Sequence, residues 1–439
     1  MRSKHDKLRG AKPVNRWFNV FTRICVEPVV RRVFKLTAVN PEIIPQTGPA
    51  IIVANHVNLL DPPWIYSVLS RPVQFVATEE LFRKTILSAA VRSVGVFPIR
   101  KAARDFQSVK NIITLLREGV LIGIYPEGSR SWDGTNSPVI PTIARLIRRM
   151  KVPVYSCRVD GGYLHFPRWA AKMRPVPIRL VFNKLYDGDS LPDSDEKIIA
   201  DIAAAIRIQD YELKLPAAKR RVSGLALGVN RLLYRCPHCQ SLESLRTMKP
   251  KSTNRVECRS CYSTWEVDLG SRLTPVDDHG TAAGESRTVA QLYRQIKAMP
   301  LNTIHSSLIQ QESGEQLYLV SRPHFLYREK SYPELRIFGF GRAFLTDRRF
   351  VFQGRLKRRG NVRVSAPLEE IESLSIEPGD KLHFIYRGVL YRIPFHRESA
   401  AKWYDFLDQL AERRKATISA TPSVKRNQTS RPDRPAESK

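Results

Sequence analysis

Two polar turns, each following an apolar run, hold the residue types that acid–base chemistry uses. AIIVA (50–54) leads into NHVNLLD, which sets His56 shortly before Asp61. A carboxylate on one ring nitrogen fixes the imidazole tautomer and stabilises the imidazolium. The other nitrogen can then act as a base on a hydroxyl. VLIGIYP leads into EGSR, so Glu127, Gly128, Ser129 and Arg130 form a second polar turn. Gly128 permits close backbone approach or unusual dihedrals, and Arg130 has the fork geometry that suits phosphate. GVFPIRK (95–101) ends a third apolar run in Arg100 and Lys101. Each feature also has a plainer reading. Asp61 directly precedes Pro62, the form of a helix N-cap. EGSR has the form of an ordinary β-turn with a surface ion pair.

A second group is metal-ligating. CPHC (236–239) and CRSC (258–261) are two CxxC knuckles. Cys236, Cys239, Cys258 and Cys261 at this spacing predict a closed tetrahedral Zn(2+) site, structural rather than catalytic, with rubredoxin-like iron as the alternative. Cys25 and Cys157 read as ordinary apolar residues. Six cysteines without a framework of regular spacings point to a reducing compartment.

The elements that must position these groups follow from periodicity. From about 50 to 210, short apolar runs (AIIVA, VQFVA, VGVFPI, VLIGIYP, VPVYSC, PIRLVF) alternate with helical segments near 80–94, 104–117 and 139–149. That alternation predicts an α/β sheet with helices on its faces, whose strand ends gather ligands. Residues 14–36 predict two short amphipathic helices separated at Pro28, with flanking arginines, as in a membrane-interface anchor. The alternative is a hairpin packed on its own domain. Residues 193–234 read as helical, 268–286 as a linker and 288–298 as a short helix. From 314 to 396 the texture is β, and 397–413 reads as a closing amphipathic helix. The tail from 416 predicts disorder.

The chain has 439 residues and a formal charge of +30, which favours an anionic partner. No stretch has the roughly 20 apolar residues of a spanning helix, and the basic N-terminus lacks the form of a secretory leader. Tyr262 and Trp265 are too few aromatics for base stacking, so nucleic acid is not favoured despite the basic ribbon.

The motifs NHVNLLD, GVFPIR, YPEGSR and VPVY occur in the order and approximate spacing of the glycerolipid acyltransferase family, of 1-acylglycerol-3-phosphate acyltransferase type. ELFRKTILSAAVRSVGVFPIR and GGYLHFPRW are similar to further family segments. The resemblance spans roughly residues 35–210. It implies that His56 is the general base and Asp61 its orienting partner. It further implies that Arg100 and Arg130 hold the acceptor phosphate, and that Glu127 positions the acceptor or the motif itself. Gly128 and Ser129 belong to the same substrate-binding turn, and Asn55 supports the loop. The donor would be acyl-CoA or acyl carrier protein, attacked directly by the acceptor oxygen. The sequence departs from the family where SWDGTNSPV follows Arg130 in place of a segment containing Lys-Gly. GRAFLTDRRFVFQG through the closing helix resembles GRAM and PH-like domains. There, Arg348, Arg349, Arg355, Lys357, Arg358 and Arg359 could line an anionic surface.

The expected fold is an α/β acyltransferase domain, a mixed sheet flanked by helices, with a small zinc ribbon and a C-terminal β-barrel-like GRAM/PH-like domain. Its parts are a basic amphipathic membrane-interface segment (1–40), the acyltransferase domain (41–215), a helical connector (216–234), the zinc ribbon (235–267), a linker with a short helix (268–313), the GRAM/PH-like domain (314–413) and a disordered tail (414–439). The expected function is acyl transfer to a lysophospholipid hydroxyl, 1-acylglycerol-3-phosphate by default, on the cytoplasmic face of a membrane rich in anionic phospholipid. The alternatives are another acceptor, such as glycerol 3-phosphate, or a non-catalytic lipid-binding scaffold.

Overall fold

The run Ala50–Ala54 forms a strand buried on both faces, as a central parallel strand requires. Alternate side chains serve two cores. Ile52 and Ala54 pack with Trp64, Phe75, Leu180 and Phe182. Ile51 and Val53 pack with Ile112, Leu116, Ile143 and Ile202. The computed structural model describes residues 16–78, 97–99, 106–215, 222–248, 254–331, 334–357, 360–377 and 380–420. The helix expected over 80–94 lies outside them.

Seven strands make the first sheet: β1 (Thr37–Val39), β2 (Ala50–Ala54), β3 (Val73–Thr78), β4 (Phe97–Ile99), β5 (Leu121–Ile124), β6 (Val154–Asp160) and β7 (Arg179–Tyr186). Their order is β1-β7-β6-β2-β5-β3-β4. All neighbours are parallel except β6 and β7, so the sheet is mixed. The helices Phe106–Arg117, Thr142–Met150 and Asp195–Ala205 carry residues of the core on one face. Because β2 and β5 are parallel neighbours, the turns after them emerge at one edge of the sheet.

The chain enters this domain through one helical run instead of two helices. An α-helix, Arg16–Phe21, passes through a π turn, Thr22–Val26, into an α-helix, Glu27–Phe34. Pro28 lies in the first turn of the last segment, where its missing amide is not needed. Its inward side is mixed, with Val30 and Phe34 packed on the sheet core beside polar groups. Thr22 and Glu27 are buried, and Arg23 and Arg31 donate to the carbonyls of Leu69 and Ser67 at 3.1 and 2.7 Å. Phe21, Ile24, Val29 and Val33 face outward, with Ile24 70% exposed.

The connector departs from the expected helix. Residues 222–234 run as turns with one 3-10 turn at Val229–Arg231. Gly228 has φ +93°, and a Cβ there would lie 2.1 Å from the Trp169 carbonyl, so the chain must turn at that point. The expected linker is likewise ordered. Strand β11 (Arg272–Val276) joins β8 (Leu245–Thr247), β9 (Arg255–Cys258), β10 (Thr264–Val267) and β12 (Arg287–Thr288) in a five-stranded antiparallel sheet. The helix Val289–Ala298 follows from a Thr288–Gln291 capping box.

The C-terminal part is an antiparallel sheet of eight strands. They are β13 (Leu317–Val320), β14 (His324–Ser331), β15 (Glu334–Thr346), β16 (Arg349–Leu356), β17 (Gly360–Pro367), β18 (Ile371–Glu377), β19 (Lys381–Tyr386) and β20 (Val389–Pro394). The order β17-β16-β15-β14-β20-β19-β18 leaves β17 and β18 as edges, with no pairing between them among the described residues. The expected β-barrel-like domain is therefore an open sheet among the described residues. The helix Ala400–Ala420 covers it through Trp403, Phe406, Leu407 and Leu410. That helix continues into the expected tail as far as Ala420. One core cluster joins Trp169, Leu232, Cys236, Cys258, Phe350 and Trp403, so the connector, the cysteine region and the last sheet bury a common interior.

Candidate active site

His56 leaves β2 in a tight turn that folds it back onto the first residue of the helix Asp61–Val68. His56 Nδ1 lies 2.9 Å from Asp61 Oδ2. The same oxygen accepts the Val57 and Asn58 amides, each at 2.8 Å. An oxygen already receiving two N–H groups acts as an acceptor, so Nδ1 is the donor and Nε2 the basic nitrogen. Asp61 thus reaches upstream. It is not the N-cap of its helix, whose cap position is Leu60, without a side-chain bond. Asp61 Oδ1 is buried with no hydrogen-bond partner among the described residues. Burial pushes the Asp61 carboxyl well up, opposed by the two amides and by Arg130.

Two asparagines hold this turn. Asn55 bonds the Val159 backbone with both ends of its amide, at 3.0 and 2.7 Å. Asn58 Nδ2 donates to the Gly162 carbonyl at 2.9 Å. The turn is thereby tied to β6 and the segment after it.

The Glu127 carboxylate is engaged by two backbone amides and one side-chain amide. Oε2 accepts the Ser137 amide at 2.6 Å, and Oε1 accepts Asn136 Nδ2 at 3.2 Å and the His56 amide at 3.4 Å. Ser131 N donates to the His56 carbonyl at 2.8 Å. The second turn therefore splints the first. Burial raises the Glu127 pKa to about 7 against these donors. Gly128 has φ +71°, a conformation that disfavours a side chain, and a Cβ would press on Ile140. Ser129 is half-buried beside it.

Tyr125, the first residue of YPEGSR and given no role by the sequence, stacks on His56 with ring centroids 4.0 Å apart and on Phe75 at 5.5 Å. Its hydroxyl is buried without a partner among the described residues. Strand alternation alone could have placed the ring on a face, but not against the imidazole.

Arg130 is half-buried, and its electrostatic neighbours include Asp61 and Glu377. Desolvation, the largest influence, lowers its pKa. Its carbonyl is held by Arg168 Nη1 at 3.1 Å, and Arg168 lies over the Trp132 ring at 4.0 Å. The structure brings His56, Asp61, Glu127, Gly128, Ser129 and Arg130 to one edge of the sheet. Arg100 lies outside the described residues.

The four cysteines also converge. Their sulfurs lie within 4.8 Å of one another, with Cys236–Cys261 at 3.7 Å and Cys239–Cys258 at 3.6 Å. A tetrahedron of Zn–S bonds of about 2.3 Å has edges of about 3.8 Å, so the set fits that ion. The knuckle amides of His238 and Cys239 point at Cys236 Sγ, and that of Ser260 at Cys258 Sγ. On the last sheet, Arg349 is not part of an open basic surface. It pairs with Glu315 and Glu312 at 2.8 Å each. Arg358 and Arg359 lie outside the described residues.

Residues 35–160 match the profile of the family described as Acyltransferase. The chain is 25% identical over 180 residues to a 1-acyl-sn-glycerol-3-phosphate acyltransferase of Bacillus subtilis (strain 168), spanning 40% of this chain and 87% of that protein. It is 31% identical over 106 residues to a chloroplastic enzyme of the same name from Arabidopsis thaliana. That match spans 23% of this chain and only 29% of the relative. Among solved structures it is similar to the 1-acyl-sn-glycerophosphate (LPA) acyltransferase PlsC of Thermotoga maritima. The identity is 22% and the TM-score 0.37, over 49% of this chain and 84% of that one. The span matched by the family profile contains the His56–Asp61 pair, the Glu127 turn and the strands that hold them, and these matches support an O-acyltransferase.

Proposed function

We propose that the chain transfers a fatty acyl group from acyl-CoA or acyl carrier protein to the hydroxyl of a lysophospholipid at a membrane surface. The default acceptor is 1-acylglycerol-3-phosphate, giving phosphatidic acid. The 2.9 Å contact between His56 Nδ1 and Asp61 carries the reading. Nε2 takes the acceptor's hydroxyl proton as its oxygen attacks the thioester carbonyl. The C–O bond forms, the C–S bond breaks, and the imidazolium returns its proton to the departing thiolate. Asp61 stabilises the imidazolium during this exchange. Arg130, and Arg100 by its place in the motif, bind the acceptor phosphate. Glu127, Gly128 and Ser129 set the turn from which Arg130 acts.

Two exposed faces support the membrane partner. Phe21, Ile24, Val29 and Val33 form an outward apolar strip on the first helical run. No helix among the described residues is long and apolar enough to cross a membrane. A short apolar strip of this kind lies in the interface instead of spanning it. On the last sheet, Phe325 and Phe340 are cross-strand partners with ring centroids 4.9 Å apart. Ile337 is exposed on the neighbouring pair, and Arg355 lies opposite Phe340. An aromatic patch beside a cation suits an anionic lipid surface. The cysteine tetrad holds a structural Zn(2+), which fixes the two knuckles and supplies no reaction step.

The test is product identification by mass spectrometry. The purified chain is given acyl-CoA or acyl carrier protein as donor, with 1-acylglycerol-3-phosphate, glycerol 3-phosphate or choline- and ethanolamine-bearing lysolipids as acceptors. Phosphatidic acid as the main product is expected. Acylation of another acceptor alone would replace the default, and no acylated product from any pair would favour the scaffold.

A further inference from the structure

Among the described residues β18 is an edge strand paired only with β19, so its outer side is open to a side-chain donor. Arg168 supplies one. Its Nη2 donates to the Ile376 carbonyl on β18, while its Nη1 donates to the Arg130 carbonyl at 3.1 Å. The guanidinium lies over Trp132 at 4.0 Å, and its Nε is sealed from solvent with no partner among the described residues. Trp132 packs against the core shared by the cysteine region and the last sheet. An arginine keeps its charge when buried and holds planar, directional bonds. The charges facing it include Arg130, Glu377 and Asp380, and Asp380 is itself paired with Arg231 at 3.3 Å. One side chain therefore joins the backbone of the catalytic turn to the edge of the C-terminal sheet.

We propose that Arg168 is a positioning residue through which the C-terminal sheet, docked in the same chain, sets the affinity of the Arg130 turn for the acceptor. The idea rests on the reading that Arg130 binds the acceptor phosphate. It adds that the catalytic domain's acceptor end is incomplete without β18. The tie is made to the backbone of the Arg130 turn, so its loss should act on the acceptor more than on the donor.

The experiment compares the full chain with Arg168→Ala and Arg168→Lys. It measures KM for acceptor, KM for acyl donor and kcat, beside hydrogen–deuterium exchange of amides 128–135 and 371–377. Arg168→Ala is expected to raise the acceptor KM tenfold or more while donor KM stays within threefold. Arg168→Lys, which keeps the charge and can reach one carbonyl, should fall between. It also serves where the alanine variant does not fold. Both segments should exchange faster together. An acceptor KM within twofold of wild type in both folded variants, or equal rises in both KM values, would overturn the proposal. If the wild type turns over no phosphate-bearing acceptor, the reading of Arg130 fails on its own. The structural tie is then judged by exchange, and acceleration of neither segment, or of only one, would sink it.

Discussion

Glu127 is 6% exposed and its pKa is lifted to about 7 from an ordinary 4.5. Below about pH 4.5 it is protonated in folded and unfolded chains alike. As pH rises toward 7, only the unfolded chain ionises freely, so the folded state loses stability, by an amount that is complete above about pH 7. A shift of this size corresponds to roughly 3 kcal/mol. Urea unfolding of Glu127→Gln should therefore gain on wild type by up to that amount between pH 4.5 and pH 8. Parallel curves for the two proteins would mean that Glu127 is not buried as described. Gly128→Ala places a Cβ at positive φ, 2.7 Å from Ile140 Cδ1. A loss of about 1 kcal/mol or more is expected in the same assay. Unchanged stability would show that the turn relaxes. The types and spacing of His56 and Asp61 allowed a ring-to-carboxylate contact, which the structure has at 2.9 Å, but did not choose it. The sequence allowed Asp61 to cap its own helix, and it bonds backward to Val57 and Asn58 instead. Tyr125 and Arg168 lie within YPEGSR and GGYLHFPRW, but their contacts had no local signal, because the partners are far along the chain, Arg168 reaching across to Ile376.

At the scale of elements, the strands that position the site follow from apolar runs, since a strand buried on both faces can be little else. Turns were harder. Residues 222–234 have helical composition, but Gly228 must pass against the Trp169 carbonyl, a tertiary constraint that overrides propensity. Strand β11 has no local signature among Gly, Asp and Ser, because its pairing to β10 is not a local property. The first helical run makes the clearest element-level prediction. Ile24 and Val33 are 70% and 64% exposed, so Ile24→Asp with Val33→Asp removes apolar contact without disturbing the core. Sedimentation with anionic vesicles should fall at least tenfold while the melting temperature stays within about 2 °C, as for surface changes. Vesicle binding equal to wild type would place the membrane contact elsewhere.

At the scale of the whole molecule, the connector, the cysteine region and the last sheet share one interior, in which Cys236 and Cys258 sit with Trp169, Phe350 and Trp403. Salt links extend the tie: Glu243, beside the knuckles, pairs with Lys402 at 3.0 Å and accepts the Ser399 amide at 3.1 Å. Chelation should thus release one zinc per chain and lower the melting temperature of the entire chain in a single transition. Release of zinc with an unmoved transition would show that the metal is peripheral. The +30 charge adds a general attraction to anionic surfaces, screened by salt over about 10 Å at 0.1 M, but it does not choose the chemistry. That choice rests on His56. The most direct measurement is thiol release from acyl-CoA, with and without 1-acylglycerol-3-phosphate, by wild type and His56→Ala on vesicles. Release by wild type should require the acceptor, and His56→Ala should lose about 10²–10⁴-fold in rate with its melting temperature retained. Acceptor-dependent release by His56→Ala at the wild-type rate would contradict the account.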